Sequence, residues 1–362
     1  MKVLLVQKRA NKAGAQVCLE RTVEALRDAG IDAQVVLGKE GWLTDKLRQK
    51  GALCGIIAFP SFRSPLSKWL RLGLFARAMD RIWGDYGPFH IVHANDTWEA
   101  LLTEWLALRW KIPWVVHLRI ATLSRLHYFK YHCDKANAVI AVSPDVYERV
   151  KNWRSNFLEF IPEGLKINEF FNPCDNEVQF PEEVGVIGHG GSRKGWEDLL
   201  DAFAKVRKMG YLLPRRLVFF GHIDIKDRDR LQQRVPHGLE ASFEGHVDDM
   251  TKRVRELGLA IAPSRKESFG RAAMEIIAAG VPILASRTGV VLDVMGVDSP
   301  WTFSPGNPDN LASAWINLPS LWSKRLDFVR QWQKKLLDGF TVEDATKRLI
   351  KLYMQIVNKN SL

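Results

Sequence analysis

The sequence predicts an α/β protein of two domains, each built on a doubly wound parallel sheet. In the first half, short apolar runs alternate with helical patterns, beginning with a strand at 3–6 and a helix at 17–29. In the second half the same alternation starts again with a strand at 184–187. Between the halves lies a polar, proline-bearing stretch at 172–183, which is typical of a domain boundary.

The other elements are predicted from the same periodicities. Further strands are predicted at 33–37, 56–59, 91–93, 114–116, 138–142, 217–220, 242–244, 259–261 and 283–285. A helix is predicted at 196–208 and another at about 342–358. The two domains are therefore predicted as 1–172 and 173–341, with the last helix following them.

Composition excludes several classes of protein. The chain has 362 residues, 46% of them hydrophobic, which is enough for two packed cores. It contains no run of 18 uncharged apolar residues, and its first residues lead directly into a strand, so we expect neither a membrane span nor a signal peptide. The four cysteines are scattered without metal-ligand spacing, which favours reduced thiols in a cytoplasmic protein.

The net charge of +11 indicates an anionic partner: a membrane, a nucleic acid or a phosphorylated substrate. Several of the 13 tryptophans stand beside basic residues, which favours a membrane surface or a lipid-linked substrate. Basic and apolar residues alternate most densely at 59–83, and this pattern predicts a helix lying on an anionic bilayer. The alternative is a helix that covers the sheet and exposes a basic face to water.

The segment at 263–282 carries the most specific motif. Glu267 and Glu275 stand eight positions apart, with Phe269 and Gly270 between them. The pattern predicts a strand end, a tight loop and a helix whose N-terminus suits a phosphate or a sugar hydroxyl. Gly270 allows close approach of a ligand, and Glu275 could accept hydrogen bonds from vicinal hydroxyls. Two solvated glutamates on an ordinary helix are the alternative for such a pair in isolation.

A glycine-rich loop at 188–195 follows a predicted strand and opens a predicted helix. Its backbone amides can form an anion-binding nest, to which Arg193 and Lys194 add charged donors. The spacing matches neither the Walker A loop nor the dinucleotide-binding G-x-G-x-x-G pattern. A flexible surface turn is the alternative.

Together these motifs resemble the donor-sugar signature of retaining GT-B glycosyltransferases, family 4 in particular (glycosyl transferases group 1). The pattern P-S-x-x-E-S-F-G-x-x-x-x-E-x-x-A-x-G-x-P carries the resemblance, and Lys194 matches the lysine of the family's G-R-x-x-x-x-K-G loop. His189 stands where the family has arginine, and only Gly14 remains of an N-terminal glycine pair. The resemblance implies the GT-B fold: two Rossmann-like domains facing a central cleft, with the final helix crossing back to the first.

The resemblance also implies roles for individual residues. Arg119 falls at the position of a family histidine that contacts the donor sugar, and His117 lies two residues earlier on the same predicted strand. The implied catalytic residues are Glu267, Lys194, Arg193, Arg119 and His117. The implied donor-binding residues are Gly14, His189, Gly190, Ser268, Phe269, Gly270 and Glu275.

The implied reaction transfers a sugar from a nucleotide-diphosphate sugar to a glycan or lipid-linked acceptor with retention of anomeric configuration, in polysaccharide or lipopolysaccharide assembly. No cofactor and no metal is expected, since cations would neutralise the leaving diphosphate. The enzyme would be cytoplasmic, peripheral on the membrane through 59–83. Alternatives are sugar-nucleotide binding without catalysis, phosphorolysis or sugar–phosphate coupling, and nucleic-acid binding, for which no motif is found and which would show steep salt dependence. The base, sugar, acceptor and oligomeric state stay open.

Overall fold

The computed structural model describes residues 1–60, 68–153, 157–173, 179–188, 190–247 and 249–360. The chain divides into two compact units. The first comprises Met1–Gly164 and Val342–Leu362, and the second comprises Leu165–Thr341. Each unit contains a sheet of parallel strands, so the predicted α/β class is confirmed.

The first unit is organised around a parallel sheet. Its strands are β1 (Lys2–Gln7), β2 (Asp32–Leu37), β3 (Leu53–Ile56), β4 (Ile91–Ala94), β5 (Trp114–Leu118), β6 (Ala138–Ala141) and β7 (Leu158–Phe160). Over the described part of this unit they pair in the order β3-β2-β1-β4-β5-β6-β7. Leu4 and Val6 belong to one hydrophobic core and Val3 and Leu5 to another, because successive side chains of a strand point to opposite faces. The central strand is therefore buried on both faces, as the continuous apolar run predicts.

Helices cover both faces of this sheet. In chain order they are α1 (Gly14–Asp28), α2 (Trp42–Gln49), α3 (Lys68–Tyr86), α4 (Ala100–Trp110), α5 (Arg125–Lys130) and α6 (Pro144–Val150). In α3, Phe75, Met79 and Ile82 recur at helical spacing and are buried against the core.

The second unit repeats this architecture. Its strands are β8 (Glu183–Ile187), β9 (Arg216–Phe220), β10 (Glu240–Gly245), β11 (Ala260–Ala262), β12 (Ile283–Ser286) and β13 (Thr302–Phe303). In the part of the unit that the structure describes they pair in the order β10-β9-β8-β11-β12-β13. Its helices are α7 (Ile167–Phe170), α8 (Trp196–Lys208), α9 (Ile225–Gln232), α10 (Met250–Leu257), α11 (Arg271–Ala278), α12 (Val291–Met295), α13 (Pro308–Leu321) and α14 (Arg325–Leu337).

The last helix, α15 (Val342–Asn360), belongs to the first unit. Leu349, Leu352 and Tyr353 are at most 2% exposed and share a hydrophobic core with Leu19 and Val23 of α1. An amphipathic stripe on α15 therefore completes one face of the first domain.

The units divide between Gly164 and Leu165, not at the predicted boundary between 172 and 173. The backbone N–H of Leu165 donates to the carbonyl of Phe340 at 2.9 Å, and that of Asn172 donates to Ala278 at 3.1 Å. These hydrogen bonds fix the segment before the polar stretch to the second unit. The composition of the sequence identified the polar stretch. It could not show that the residues before this stretch form hydrogen bonds with the second unit.

One predicted strand is displaced, and two strands were not predicted. β3 occupies Leu53–Ile56, whereas the apolar run had suggested 56–59. The sequence analysis missed β7 (Leu158–Phe160) and β13 (Thr302–Phe303), which are edge strands of three and two residues. Such short strands are stabilised by pairing with a neighbour and leave little periodic signal in the sequence.

Candidate active site

The glycine-rich loop connects β8 to α8 in the second unit. A single turn of 3-10 helix at Ser192–Lys194 ends at Gly195, which has a left-handed φ of +68°. A Cβ at Gly195 would lie 1.9 Å from the carbonyl oxygen of Pro263, in the loop after β11. Glycine is therefore required here, because it lets the two loops touch through their backbones. His189 lies outside the described residues.

Replacement of Gly195 by alanine is expected to destabilise the second domain by at least about 2–3 kcal/mol, through the backbone conformation and the clash with Pro263. Gly210→Ala is the matched control, because Gly210 has a φ of +78° but a Cβ added there would meet no atom within 4 Å. Hydrogen exchange of second-domain peptides measures the loss of stability caused by each of the two substitutions. Equal destabilisation by the two substitutions would contradict a required contact between the loops.

The two loops also meet through a cluster of charged side chains. Lys194 Nζ lies 2.5 Å from Glu267 Oε1, and Ser264 Oγ donates to the same oxygen at 2.7 Å. Arg193 Nη1 lies 3.6 Å from the other oxygen, Glu267 Oε2. Two cations thus face one carboxylate, and the excess positive charge suits an anionic group. The structure thus brings Arg193 and Lys194 of the glycine-rich loop together with Glu267 of the segment at 263–282.

A further ion pair, which the sequence analysis did not identify, connects the glycine-rich loop region with the loop after β11. Arg265 donates to both carboxylate oxygens of Asp198 in α8, at 2.7 and 2.6 Å. The backbone N–H of Arg265 also donates to the carbonyl of Arg193 at 2.8 Å. Bidentate arginine–carboxylate contacts fix orientation as well as distance. Arg265 therefore holds the loop of Glu267 in register with the loop of Lys194.

Gly270, with a φ of +91°, precedes the first residue of α11. Glu275 lies in the second turn of this helix, where its carboxylate is 3.3 Å from Arg271 Nε and its side chain is 13% exposed. Phe269 is only 2% exposed, and its carbonyl accepts a hydrogen bond from Val290 at 3.0 Å. Its ring is buried, so only the backbone of Phe269 could contact a ligand in this loop. Ser268 and Gly190 are partly exposed members of the same loops.

In the first unit, Arg119 directly follows β5 and forms a buried ion pair with Glu163. Arg119 Nε donates to the carbonyl of Asn95 at 2.9 Å, and Cys18 Sγ donates to Glu163 Oε2 at 3.1 Å. Burial opposes the positive charge, but Glu163, Cys18 and Asp96 together outweigh it and raise the pKa of Arg119. The guanidinium therefore binds groups of its own domain, which the sequence could not show. Gly14 is the first residue of α1, and a Cβ added there would meet no atom within 4 Å.

His117 ends a buried chain of polar side chains. Its Nδ1 lies 2.6 Å from Nε2 of His93, and Nδ1 of His93 contacts the hydroxyl of Tyr353 in α15. Burial, with the nearby charge of Arg119, lowers the pKa of His93 to about 3 and that of His117 well below its ordinary value. Both imidazoles are therefore neutral at physiological pH, and the hydrogen bonds of the chain couple their tautomers.

Glu99, between β4 and α4, is a buried carboxyl that sequence analysis did not identify. Its Oε1 accepts a hydrogen bond from the backbone N–H of Lys8 at 2.9 Å, which ties the loop after β1 to the start of α4. Burial, reinforced by the charge of Asp96, raises the pKa of Glu99 to about 8. Burial also raises the pKa of Asp96.

Because the folded pKa of Glu99 exceeds its ordinary value of 4.5, the unfolded chain loses this proton first as pH rises. The free energy of unfolding should therefore fall between about pH 5 and pH 8, by about 1.4 kcal/mol per pKa unit at most. Glu99→Gln should remove this loss and be more stable than the wild type near pH 8. Melting temperatures across this range, with Glu148→Gln at an exposed site as control, provide the measurement. If the melting temperatures of the wild type and Glu99→Gln changed with pH in parallel, the predicted effect of Glu99 on stability would be contradicted.

The basic segment at 59–83 is described from Lys68 onward as α3, and 61–67 lie outside the described residues. Arg77 and Arg81 are exposed, while Phe75 and Met79 pack into the core. This part of α3 therefore covers the sheet with one face and exposes Arg77 and Arg81 on the other, an arrangement that both interpretations of the pattern allow. No helix among the described residues has the length and apolar character needed to cross a bilayer. In the same residues no group of three or more His, Cys, Asp or Glu side chains could hold a metal ion.

Comparison with known proteins identifies the family. The family model "Glycosyl transferase 4-like domain" matches residues 13–162, and "Glycosyl transferases group 1" matches residues 181–320. The uncharacterized glycosyltransferase MJ1607 of Methanocaldococcus jannaschii is 25% identical over 311 residues, covering 77% of this chain and 79% of that protein. A GDP-mannose-dependent phosphatidylinositol dimannoside mannosyltransferase of Mycobacterium tuberculosis is 32% identical over 103 residues, covering 28% of this chain and 26% of that protein.

Solved structures show the same fold. Anabaena HepE in complex with UDP superposes with a TM-score of 0.79 at 19% identity, covering 98% of this chain and 100% of that one. A lipopolysaccharide outer core galactosyltransferase, WaaB, superposes with a TM-score of 0.72 at 14% identity, covering 100% of both chains. Since one family model matches each parallel-sheet domain and full-length structures share the fold, the chain belongs to the glycosyl transferases group 1 and is a GT4-like glycosyltransferase with the two Rossmann-like domains of the GT-B fold.

Proposed function

We propose that this glycosyltransferase moves a sugar from a nucleotide-diphosphate sugar to a hydroxyl of a glycan or lipid-linked acceptor, with retention of configuration and without a metal ion. The contact between Lys194 and Glu267 is the observation that carries the proposal, because it joins two motifs that lie 73 residues apart. Both side chains are partly exposed, at 15% and 16%, so a bound group can reach them.

The second domain would bind the donor. Lys194 and Arg193 would neutralise the diphosphate, with further support from the N-terminus of α11. Glu275 would accept hydrogen bonds from the ribose, and Glu267 from the sugar. A nucleotide sugar is also supported by relatives: HepE was solved with UDP, UDP-glucose, or UDP and glucose, and the mycobacterial mannosyltransferase is GDP-mannose-dependent.

In the reaction, the anomeric carbon would exchange its bond to a diphosphate oxygen for a bond to the acceptor oxygen on the same face. The proton of the acceptor hydroxyl would leave with the released nucleoside diphosphate. Negative charge develops on the diphosphate as its bond breaks, and preorganised donors that face developing charge are usually the largest catalytic contribution. Lys194 and Arg193 would supply this stabilisation, which makes a divalent cation unnecessary.

The first domain would receive the acceptor. Relatives act in lipopolysaccharide core assembly and on a phosphatidylinositol glycolipid, which supports a cell-surface glycan or a lipid-linked sugar made in the cytoplasm. The exposed side chains of Arg77 and Arg81, with Leu74, which is 57% exposed, would contact an anionic membrane surface. Sedimentation with phosphatidylglycerol vesicles tests that contact.

A second candidate is a protein that binds a nucleotide sugar without transferring it. The observation in its favour is the buried ion pair of Arg119 with Glu163, because Arg119 occupies the position of a catalytic-site histidine in the family pattern. Such a protein would bind donors but would neither transfer nor hydrolyse the sugar.

The proposal is tested by incubating the protein with UDP-, GDP-, ADP- and dTDP-sugars in EDTA, with and without simple glycoside acceptors. Proton NMR of the first product reports its anomeric configuration. Retained configuration in EDTA is the expected result. Inverted configuration, or turnover only with added magnesium or manganese, would contradict the proposed mechanism, and donor binding without any product would favour the second candidate.

A further inference from the structure

We propose that Trp98, with His127 and Tyr131, forms a binding subsite for a neutral sugar ring of the acceptor on the first domain. As an acceptor subsite it rests on the proposed function, although its affinity for a saccharide can be measured independently. The three residues were not identified from sequence as site residues.

The three side chains come from loops at the same edge of the sheet. Trp98 lies in the 3-10 turn that follows β4, and His127 and Tyr131 lie in and directly after α5, which follows β5. β4 and β5 are neighbouring parallel strands, and ligands of such sheets bind at the carboxyl ends of the strands. The cluster therefore lies at the edge where a ligand of this domain is expected.

The cluster is rigid but open. The rings of His127 and Tyr131 stack with centroids 4.4 Å apart. Trp98 stands nearly perpendicular to both, with centroid distances of 4.8 and 5.3 Å. Although these contacts fix its position, Trp98 remains 54% exposed. A large, fixed and exposed aromatic ring is costly to hydrate and is typical of a binding surface.

The imidazole of His127 borders the ring of Trp98 and is itself held by a neighbouring hydroxyl. Thr97 Oγ1 lies 3.1 Å from Nε2 of His127 and donates to Asp96 Oδ1 at 3.3 Å. Partial burial, with the charge of Lys130, lowers the pKa of His127, so the ring is neutral at physiological pH. Thr97 is fully buried, so its hydroxyl orients the imidazole and does not reach a ligand. An aromatic face bordered by the imidazole of His127 suits a pyranose, which presents C–H groups on its faces and hydroxyls at its rim.

The same observations argue against a membrane as the occupant of this cluster. The neutral imidazole of His127 gives no attraction to anionic headgroups, whereas it can bind hydroxyls. Lys130 is a nearby group that could attract them, and the vesicle measurement below separates the two occupants. An aromatic residue held edge-on by two other rings also contributes little depth for insertion between lipid chains. We therefore assign the cluster to a saccharide.

The test uses saturation-transfer NMR on the whole protein, which detects weak binding, with methyl glycosides of glucose, galactose, mannose and N-acetylglucosamine as probes. We expect signal from at least one glycoside in the wild type and at least a fivefold loss in Trp98→Ala and Trp98→Leu. Tyr211→Ala, at an aromatic residue that is 51% exposed in the second domain, is the matched control and should keep the signal. Because Trp98 is largely exposed, all variants should melt near the wild-type temperature.

Lack of signal from every glycoside in the wild type, or equal signal in the Trp98 variants, would overturn the proposal. So would Trp98-dependent sedimentation with phosphatidylglycerol vesicles in the absence of glycoside binding. If nucleotide sugars fail to bind but glycoside binding depends on Trp98, the proposed transfer reaction fails and the saccharide subsite stands. If transfer occurs, Trp98→Ala should raise the acceptor KM about tenfold and leave donor affinity unchanged.

Discussion

Replacing Lys194 by alanine is expected to lower the rate of sugar transfer about 100-fold or more. Lys194 contributes the ammonium group closest to Glu267, and removal of one preorganised group that stabilises transition-state charge typically costs this much. Loss of Lys194 also leaves Glu267 with Ser264 and the more distant Arg193, so the positive charge of the site falls by one. Initial rates with a saturating donor, in EDTA, measure the effect.

Lys266→Ala is the matched control, since this neighbouring lysine is exposed, and its rate should stay within about twofold of the wild type. Glu275→Ala should reduce transfer by a factor similar to that of Lys194→Ala, because the donor ribose would lose its acceptor group. Near-normal turnover in folded variants of both Lys194 and Glu275 would refute the site assignment.

Replacing Arg119 by methionine is expected to destabilise the first domain by about 3–5 kcal/mol, the usual cost of removing one partner of a buried ion pair. The side chains of Arg119 and Glu163 are only 6% and 10% exposed, so the remaining carboxylate would keep Cys18 as a donor but lose its opposite charge. Hydrogen exchange of peptides from β1, β4 and β5 reports the stability of this domain separately from the other.

Arg109→Met provides the matched control. Arg109 makes a bidentate contact with Asp80 at 2.7 and 2.6 Å, but both side chains are more than 40% exposed. Exposed pairs contribute about 1 kcal/mol or less. The double variant Arg119→Met/Glu163→Gln should recover much of the lost stability, because it buries no unpaired charge. A cost for Arg119→Met no larger than for Arg109→Met would contradict a structural role of this ion pair.

The second domain was easier to predict from sequence, because its helices and loops are marked by short sequence patterns. The helix predicted at 196–208 is observed as Trp196–Lys208, and the loop after β11 leads into α11 as its glycine and helical pattern suggest. The pairing of Lys194 with Glu267 was not predictable from spacing, because it depends on β8 and β11 lying side by side in the sheet. The family resemblance named the residues, and the fold brings them into contact.

The first domain was less predictable, because its polar contacts join distant parts of the chain. Arg119 bonds to Glu163, and His93 bonds to Tyr353 at a separation of 260 residues. Neither pair leaves a periodic signal in the sequence. The amphipathic pattern of α3 was recognised, but a pattern shows only that one face is apolar. The core that covers Phe75 and Met79 is visible in the structure alone.

The most direct test of the central claim is the melting temperature of the protein with UDP-, GDP-, ADP- and dTDP-sugars in EDTA, compared with that of Lys194→Ala. A ligand at 100 times its Kd stabilises the folded state by about 2.7 kcal/mol. We predict that one nucleotide class raises the melting temperature of the wild type by several degrees without metal, and that Lys194→Ala loses most of this shift. No shift with any donor, or an equal shift in the variant, would contradict donor binding through Lys194 and Glu267.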